Sequence, residues 1–149
     1  MTLASQSSLI PRDFRKGQVL FLAPILVPVA ILCIFAPQLI PAYLPLITFT
    51  LQILFLWLDY RSTKKFLALG YEEKNKLLNA MMTWAGSLEM GVVSFYVLLE
   101  LFPLLLGLVL LPLLGMTPVA VVTLFTTVPA ASHGFAYAYN RAHVGSSLH

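Results

Sequence analysis

Residues 59–76 read DYRSTKKFLALGYEEKNK, the one charge-dense segment of the chain. Five of these residues are basic: Arg61, Lys64, Lys65, Lys74 and Lys76. On both sides the sequence turns apolar. Ile40 to Leu58 precedes the segment, and a second apolar stretch follows it to Phe102. Each is about the 20 residues that a helix needs to cross a bilayer. A basic loop between two such runs reads as a membrane protein whose loop stays on the cytoplasmic-type face.

Upstream lies another apolar run, Val19 to Pro37, joined to Ile40–Leu58 by the short neutral stretch APQLIPAY. A link this short predicts two adjacent helices running in opposite directions. Pro24, Pro28, Pro41 and Pro45 fall in these runs, where transmembrane helices tolerate proline with a kink. The first run is long enough to span, and no small-residue cleavage site closes it. It is expected to be a retained helix rather than a signal peptide.

Within the basic loop Gly70 is a helix-stop residue, and Glu72 and Glu73 suit the first turn of the next helix, where the dipole favours acids. The third helix is therefore expected to begin near Tyr71. It should end at Phe102, because Pro103 disfavours helix in the residue before it. Residues 103–118, PLLLGLVLLPLLGMTP, are apolar but short for a span, and are expected to form a broken or re-entrant connection, or a continuation that lies tilted. A last span covers Pro118 to Asn140. The expected fold is an all-α integral membrane protein of four transmembrane helices in two hairpins, with a Pro/Gly-broken connection between helices 3 and 4. It forms one domain, residues 1–149, with a polar segment 1–17, the basic loop 59–76 and a short tail 141–149.

The charges agree with four crossings. All nine Lys and Arg then fall on one face, and the opposite turns near residues 37–41 and 115–118 have none. Composition excludes other classes. The chain is 59% hydrophobic and 10% charged, with a mean hydropathy of +0.87. A soluble domain carries roughly 25% charged residues. The net charge of +3 comes from too few cations for a nucleic-acid surface. Cys33 stands alone, so neither an intrachain disulfide nor a CxxC site can form. No Walker, dinucleotide, HExxH or GxSxG motif is present.

Polar residues inside the spans are the candidates for function, because ionisable groups in a bilayer are costly. Glu89 and Glu100 are eleven positions apart, about 20° from alignment and roughly 16 Å along a helix, with Tyr96 on the same stripe. Thr126, His133, Tyr137 and Asn140 form a stripe on the last helix. Thr48, Gln52 and Asp59 form one on the second. These three helices are expected to turn their stripes toward one another. With the membrane-spanning part of the third helix counted from about Ala80, Glu89 and His133 fall at similar depth, which predicts a Glu89–His133 hydrogen bond. Glu100 is expected at the neutral-face end of the third helix, where it would satisfy broken backbone near Pro103. The cluster Glu89, Glu100, His133, Tyr96, Tyr137, Thr126 and Gln52 is either polar glue or a proton path. Arg61, Lys64, Lys65, Lys74 and Lys76 are candidates for lipid headgroups. One intramembrane histidine does not make a metal or haem site, and no cofactor is expected.

The expected function is that of a non-catalytic accessory subunit of a larger membrane assembly, of energy-converting type. Its partners would be other membrane subunits and membrane lipids, anionic ones included, and not nucleic acid. The mitochondrial inner membrane is the leading location; another organelle or a bacterial inner membrane carries the same charge pattern. The alternatives are a small membrane enzyme or proton/ion-coupled transporter using Glu89, His133 and Glu100, and a membrane-shaping hairpin protein.

Overall fold

Helix α2, Leu44–Ala68, continues well into the basic segment, so residues 59–68 are helical rather than loop. The computed structural model describes residues 14–73 and 75–146, and these are helical apart from short turns. Lys74, most of the segment 1–17 and the end of the tail 141–149 lie outside the described residues. Gly70, at φ 82°, ends α2. The Gly70 N–H donates to the Leu67 carbonyl and the Tyr71 N–H to the Phe66 carbonyl. Tyr71 stacks on Phe66 with ring centroids 4.5 Å apart. Crossed bonds plus that apolar contact are a Schellman stop, and only a left-handed residue at the glycine position allows it.

The third helix starts later than the acids suggested. Asn75 caps α3, Lys76–Ala85, by accepting from the Leu77 and Leu78 N–H groups. Glu73 instead accepts from the Asn75 N–H at 2.7 Å, outside the helix. An asparagine cap satisfies helix-end donors directly, and it outcompetes a dipole preference. α3 then stops at Gly86, φ 76°, and Ser87 caps a new helix through the Met90 N–H. α3 is a short helix folded back on α4, Leu88–Tyr96, and not the start of a span. At the contact Gly91 lies against Met82, with no room for a side chain.

Nor does the chain break at Pro103. A π-turn, Val97–Leu101, joins α4 to α5, Phe102–Leu110, which runs into the 3₁₀ turn Leu111–Leu114. The Phe102 N–H reaches back five residues to the Val97 carbonyl. This wider turn opens space where an α-helical carbonyl would meet the proline ring, so the helix passes through Pro103. Of the readings of 103–118, the broken or re-entrant connection is corrected and the chain continues as helix to Leu114: the break is confined to Gly115–Thr117, with Gly115 at φ 88°.

Three helices are long and apolar enough to cross a membrane: Lys16–Phe35 in α1 (Phe14–Phe35), Leu88–Leu114, and Pro118–Ala142 in α6 (Pro118–Ser146). α2 has 25 residues, but Gln52, Asp59 and Arg61 interrupt its apolar character. α6 is the helix the others share, packing most extensively with α2 and also with α1 and α5. Its apolar window is 39% buried against 6% for α1. Side-chain pairs give the directions. Thr48 meets Thr126 and Thr63 meets Asn140, so α2 runs with α6. Phe21 meets Phe135, while Cys33 packs with Ala120, so α1 runs against it. Gly107 lies against Val121 and Phe125, while Glu100 meets His133, so Leu88–Leu114 also runs against α6.

Candidate functional site

His133 is buried in α6, one turn after Pro129. Its Nδ1 lies 2.8 Å from Asp59 Oδ2 on α2. Its Nε2 lies 2.7 Å from Glu100 Oε1 in the π-turn. Both carboxylates are buried. Each of these two contacts requires one proton between nitrogen and oxygen, and a neutral imidazole supplies only one. The triad therefore holds two shared protons against two carboxylates and carries a net charge of −1. Without the second proton, two lone pairs would face each other at one of the contacts.

The triad is the middle of a longer chain of bonds. Gln52 Nε2 donates to Glu100 Oε2 at 2.6 Å. Thr63 Oγ1 donates to Asp59 Oδ1 at 3.4 Å, and Asn140 Nδ2 donates to Thr63 Oγ1 at 3.0 Å and to Ser62 Oγ at 3.2 Å. Buried polar groups are stable only when bonded, and all four carboxylate oxygens of the triad are engaged. Among the described residues, Gln52 Oε1 and Thr123 Oγ1 are the buried side-chain atoms left without a partner.

The π-turn explains why Glu100 points inward. One extra residue in a turn rotates everything beyond it by about 100° relative to a regular helix. The turn also places Glu100 twelve residues after Leu88 and fourteen before Leu114, midway along the apolar helix. This corrects the expectation that Glu100 sits at the helix end; its partners are Gln52 and His133, and not the backbone near Pro103.

Glu89 stands elsewhere. It is exposed at the start of α4, where its Oε1 accepts from Lys64 Nζ at 2.9 Å and from Tyr60 Oη at 3.0 Å. The expected Glu89–His133 bond is absent, because the span begins at Leu88 rather than near Ala80 and the depths no longer match. Glu89 and the Tyr60 hydroxyl hold the Lys64 ammonium above its ordinary pKa range. Thr126 bonds Thr48 at 2.6 Å in the interior, away from the imidazole. Tyr96 is half-buried and no side-chain hydrogen bond ties it to the triad. Tyr137 accepts from Arg141 Nη1 at 3.0 Å at the basic end. Arg61 lies over the Trp57 ring at 4.7 Å, and Lys76 opens α3.

Two cavities reach the triad. One of about 230 Å³ touches Asp59, His133 and Glu100 and extends past Tyr60 and Asn75 toward the basic end. Another, about 310 Å³, lies between α5 and α6 and touches Glu100, Pro103, Phe125 and Pro129. Glu100 is thus shared by both. Among the described residues no group of three His, Cys, Asp or Glu side chains is arranged to hold a metal ion. Asp59 was visible in the sequence only as one member of a stripe with Thr48 and Gln52; its pairing with His133 depends on α2 and α6 running in the same direction.

Compared with known proteins, the chain matches no family model, no curated protein and no solved structure.

Proposed function

We propose that the chain is a four-crossing integral membrane protein, two hairpins with α2 as a crossing helix, that exchanges protons through Asp59, His133 and Glu100. The observation that carries this reading is the position of Glu100, bonded to a buried imidazole and touched by two separate cavities. Asp59 accepts from Nδ1 and fixes the tautomer, so the exchangeable proton is the one between Nε2 and Glu100. The lining of the α5–α6 cavity offers no side-chain acceptor besides Glu100, so the proton would pass from Glu100 to a water molecule entering that cavity, leaving as hydronium and taking the triad from −1 to −2. Its uptake from the cavity on the Asp59 side restores −1. Pro103 follows the π-turn closely and Pro129 precedes His133 by one turn, so both helices have weakened backbone bonding beside the proton.

The test is a proton-flux measurement on the purified protein in sealed vesicles carrying an internal pH-sensitive dye. The wild type should dissipate an imposed pH gradient faster than protein-free vesicles. Glu100→Gln, which keeps the hydrogen bonds but cannot cycle a proton, should return the rate to the protein-free level. A wild type no faster than empty vesicles, or an equally fast Glu100→Gln variant, overturns the proposal.

A second reading is that of a non-catalytic membrane subunit. The complete bonding of all four carboxylate oxygens favours it, since a purely structural tie is built that way. Co-purification in a stoichiometric larger complex that survives Glu100→Gln, with no proton flux, would support it.

A further inference from the structure

We propose that the groove between the basic ends of α2 and α6 binds the phosphate of an anionic lipid headgroup. The groove has a volume of about 380 Å³ and is lined by Arg61, Ser62 and Lys65 of α2 and by Tyr137, Asn140 and Arg141 of α6. Three cations and three neutral hydrogen-bonding side chains converge there, and no carboxylate lines it. Arg61 and Lys65 are four residues apart, on one face of α2. Because α2 and α6 run in the same direction, Arg141 arrives at the same end.

The cations are placed but not neutralised. Arg61 rests on Trp57, and Tyr137 accepts from Arg141. Lys64, one residue from Lys65, is taken by Glu89. Among the described residues no ion pair engages Arg61, Lys65 or Arg141. A planar guanidinium pair with an ammonium between hydroxyls is phosphate chemistry. The dipole of α2 near its last turns opposes an anion, but its half-charge is smaller than the field of three full cations.

Lipid is the favoured source of that phosphate. Leu58 also lines the groove, and exposed Trp57 lies beside it, at the level where the apolar part of α2 begins. A headgroup seated on Arg61, Lys65 and Arg141 would lay its chains along that apolar face. This departs from the set expected from sequence: Lys64 is spent on Glu89, while Arg141 and Tyr137 enter.

The test uses the full chain in detergent, titrated with phosphatidic acid, with phosphatidylcholine and with inorganic phosphate, and read by native mass spectrometry. Phosphatidic acid should be retained well above phosphatidylcholine. The triple variant Arg61→Gln, Lys65→Gln, Arg141→Gln should lose roughly tenfold or more in affinity. Lys65→Gln alone, outside the bonded network, should lose part of it even if the triple variant is unstable, and Lys76→Gln should lose nothing. Inorganic phosphate displacing the lipid at comparable concentration would keep the site and reassign its ligand to free phosphate. Equal retention of phosphatidic acid and phosphatidylcholine, or undiminished binding by Lys65→Gln, overturns the proposal.

Discussion

Removing the imidazole of His133 leaves Asp59 and Glu100 as buried carboxylates without their common partner. Breaking a buried, hydrogen-bonded charge pair from one side costs about 3–5 kcal/mol. His133→Ala should therefore lower unfolding stability in detergent by that amount, measured by thermal or denaturant unfolding. Glu100→Gln should cost less than about 1 kcal/mol, because its amide can donate to a neutral Nε2 while its oxygen accepts from Gln52. Glu100→Leu strands both Gln52 Nε2 and His133 Nε2 and should cost about 1–3 kcal/mol. If the three variants unfold alike, the bond chain contributes nothing to stability. His133 and Glu100 stood out in the sequence because each is a lone polar group in apolar surroundings. Of their partners, Gln52 stood in the candidate cluster, while Asp59 was only one member of a stripe. The partner assigned to His133 was Glu89, an error of helix register: moving the span's start from Ala80 to Leu88 shifts depth by about 12 Å. The signal that could have corrected it was Gly86-Ser87, a left-handed stop followed at once by a capping serine.

Gly91 marks the place where α3 and α4 come together. A Cβ there would meet Met82 Cγ at 2.7 Å, and also the Met82 backbone, Cα at 2.8 Å and N at 2.9 Å. Backbone cannot move aside as a side-chain tip does, so α3 must lift. Gly91→Ala should cost about 1–3 kcal/mol, as overpacking does, and should speed amide exchange selectively in residues 76–85. Gly134 is the control. It belongs to the small-residue row Ala130, Gly134 and Ala138 of α6, yet a Cβ there meets only the Phe55 ring at 3.6 Å, ordinary contact. Gly134→Ala should leave stability unchanged within about 0.5 kcal/mol. Should Gly91→Ala prove as harmless as Gly134→Ala, the α3–α4 contact is not tight. The glycine that matters was the one outside the recognisable pattern. Sequence periodicity reports which residues share a face, but a close approach depends on how an outside helix folds back. The same limit hid the π-turn: a proline after an apolar run reads as a stop unless the extra residue that accommodates it is known.

On the scale of the whole molecule, composition and charge asymmetry were enough to read an all-helical chain with several spanning helices, because those properties are sums over many residues. The number of crossings turns on one helix. α2 is as long as its neighbours but carries Gln52, Asp59 and Arg61. In isolation it is a poor span. Packed on α6 most of its buried polar atoms are bonded, Gln52 Nε2 to Glu100 and Asp59 to His133 and Thr63, with Gln52 Oε1 left over. A helix whose polar face is satisfied inside a bundle need present only its other face to lipid, and that face holds Leu46, Ile47, Leu51, Ile53 and Leu54, all exposed. On the four-crossing proposal, Arg61 and Lys76 lie on one side and the turns at Gln38 and Leu113 on the other. Single cysteines at these four positions, in a Cys33→Ala background, should split into two classes with a membrane-impermeant thiol reagent on sealed vesicles. Arg61→Cys and Lys76→Cys should react from one side, Gln38→Cys and Leu113→Cys from the opposite one. If Gln38→Cys labels from the same side as Arg61→Cys, α2 does not cross, and the basic end cannot be a single face. The groove of Arg61, Lys65 and Arg141 would then remain one cavity on two parallel helices, but the positive-inside pattern would need another explanation.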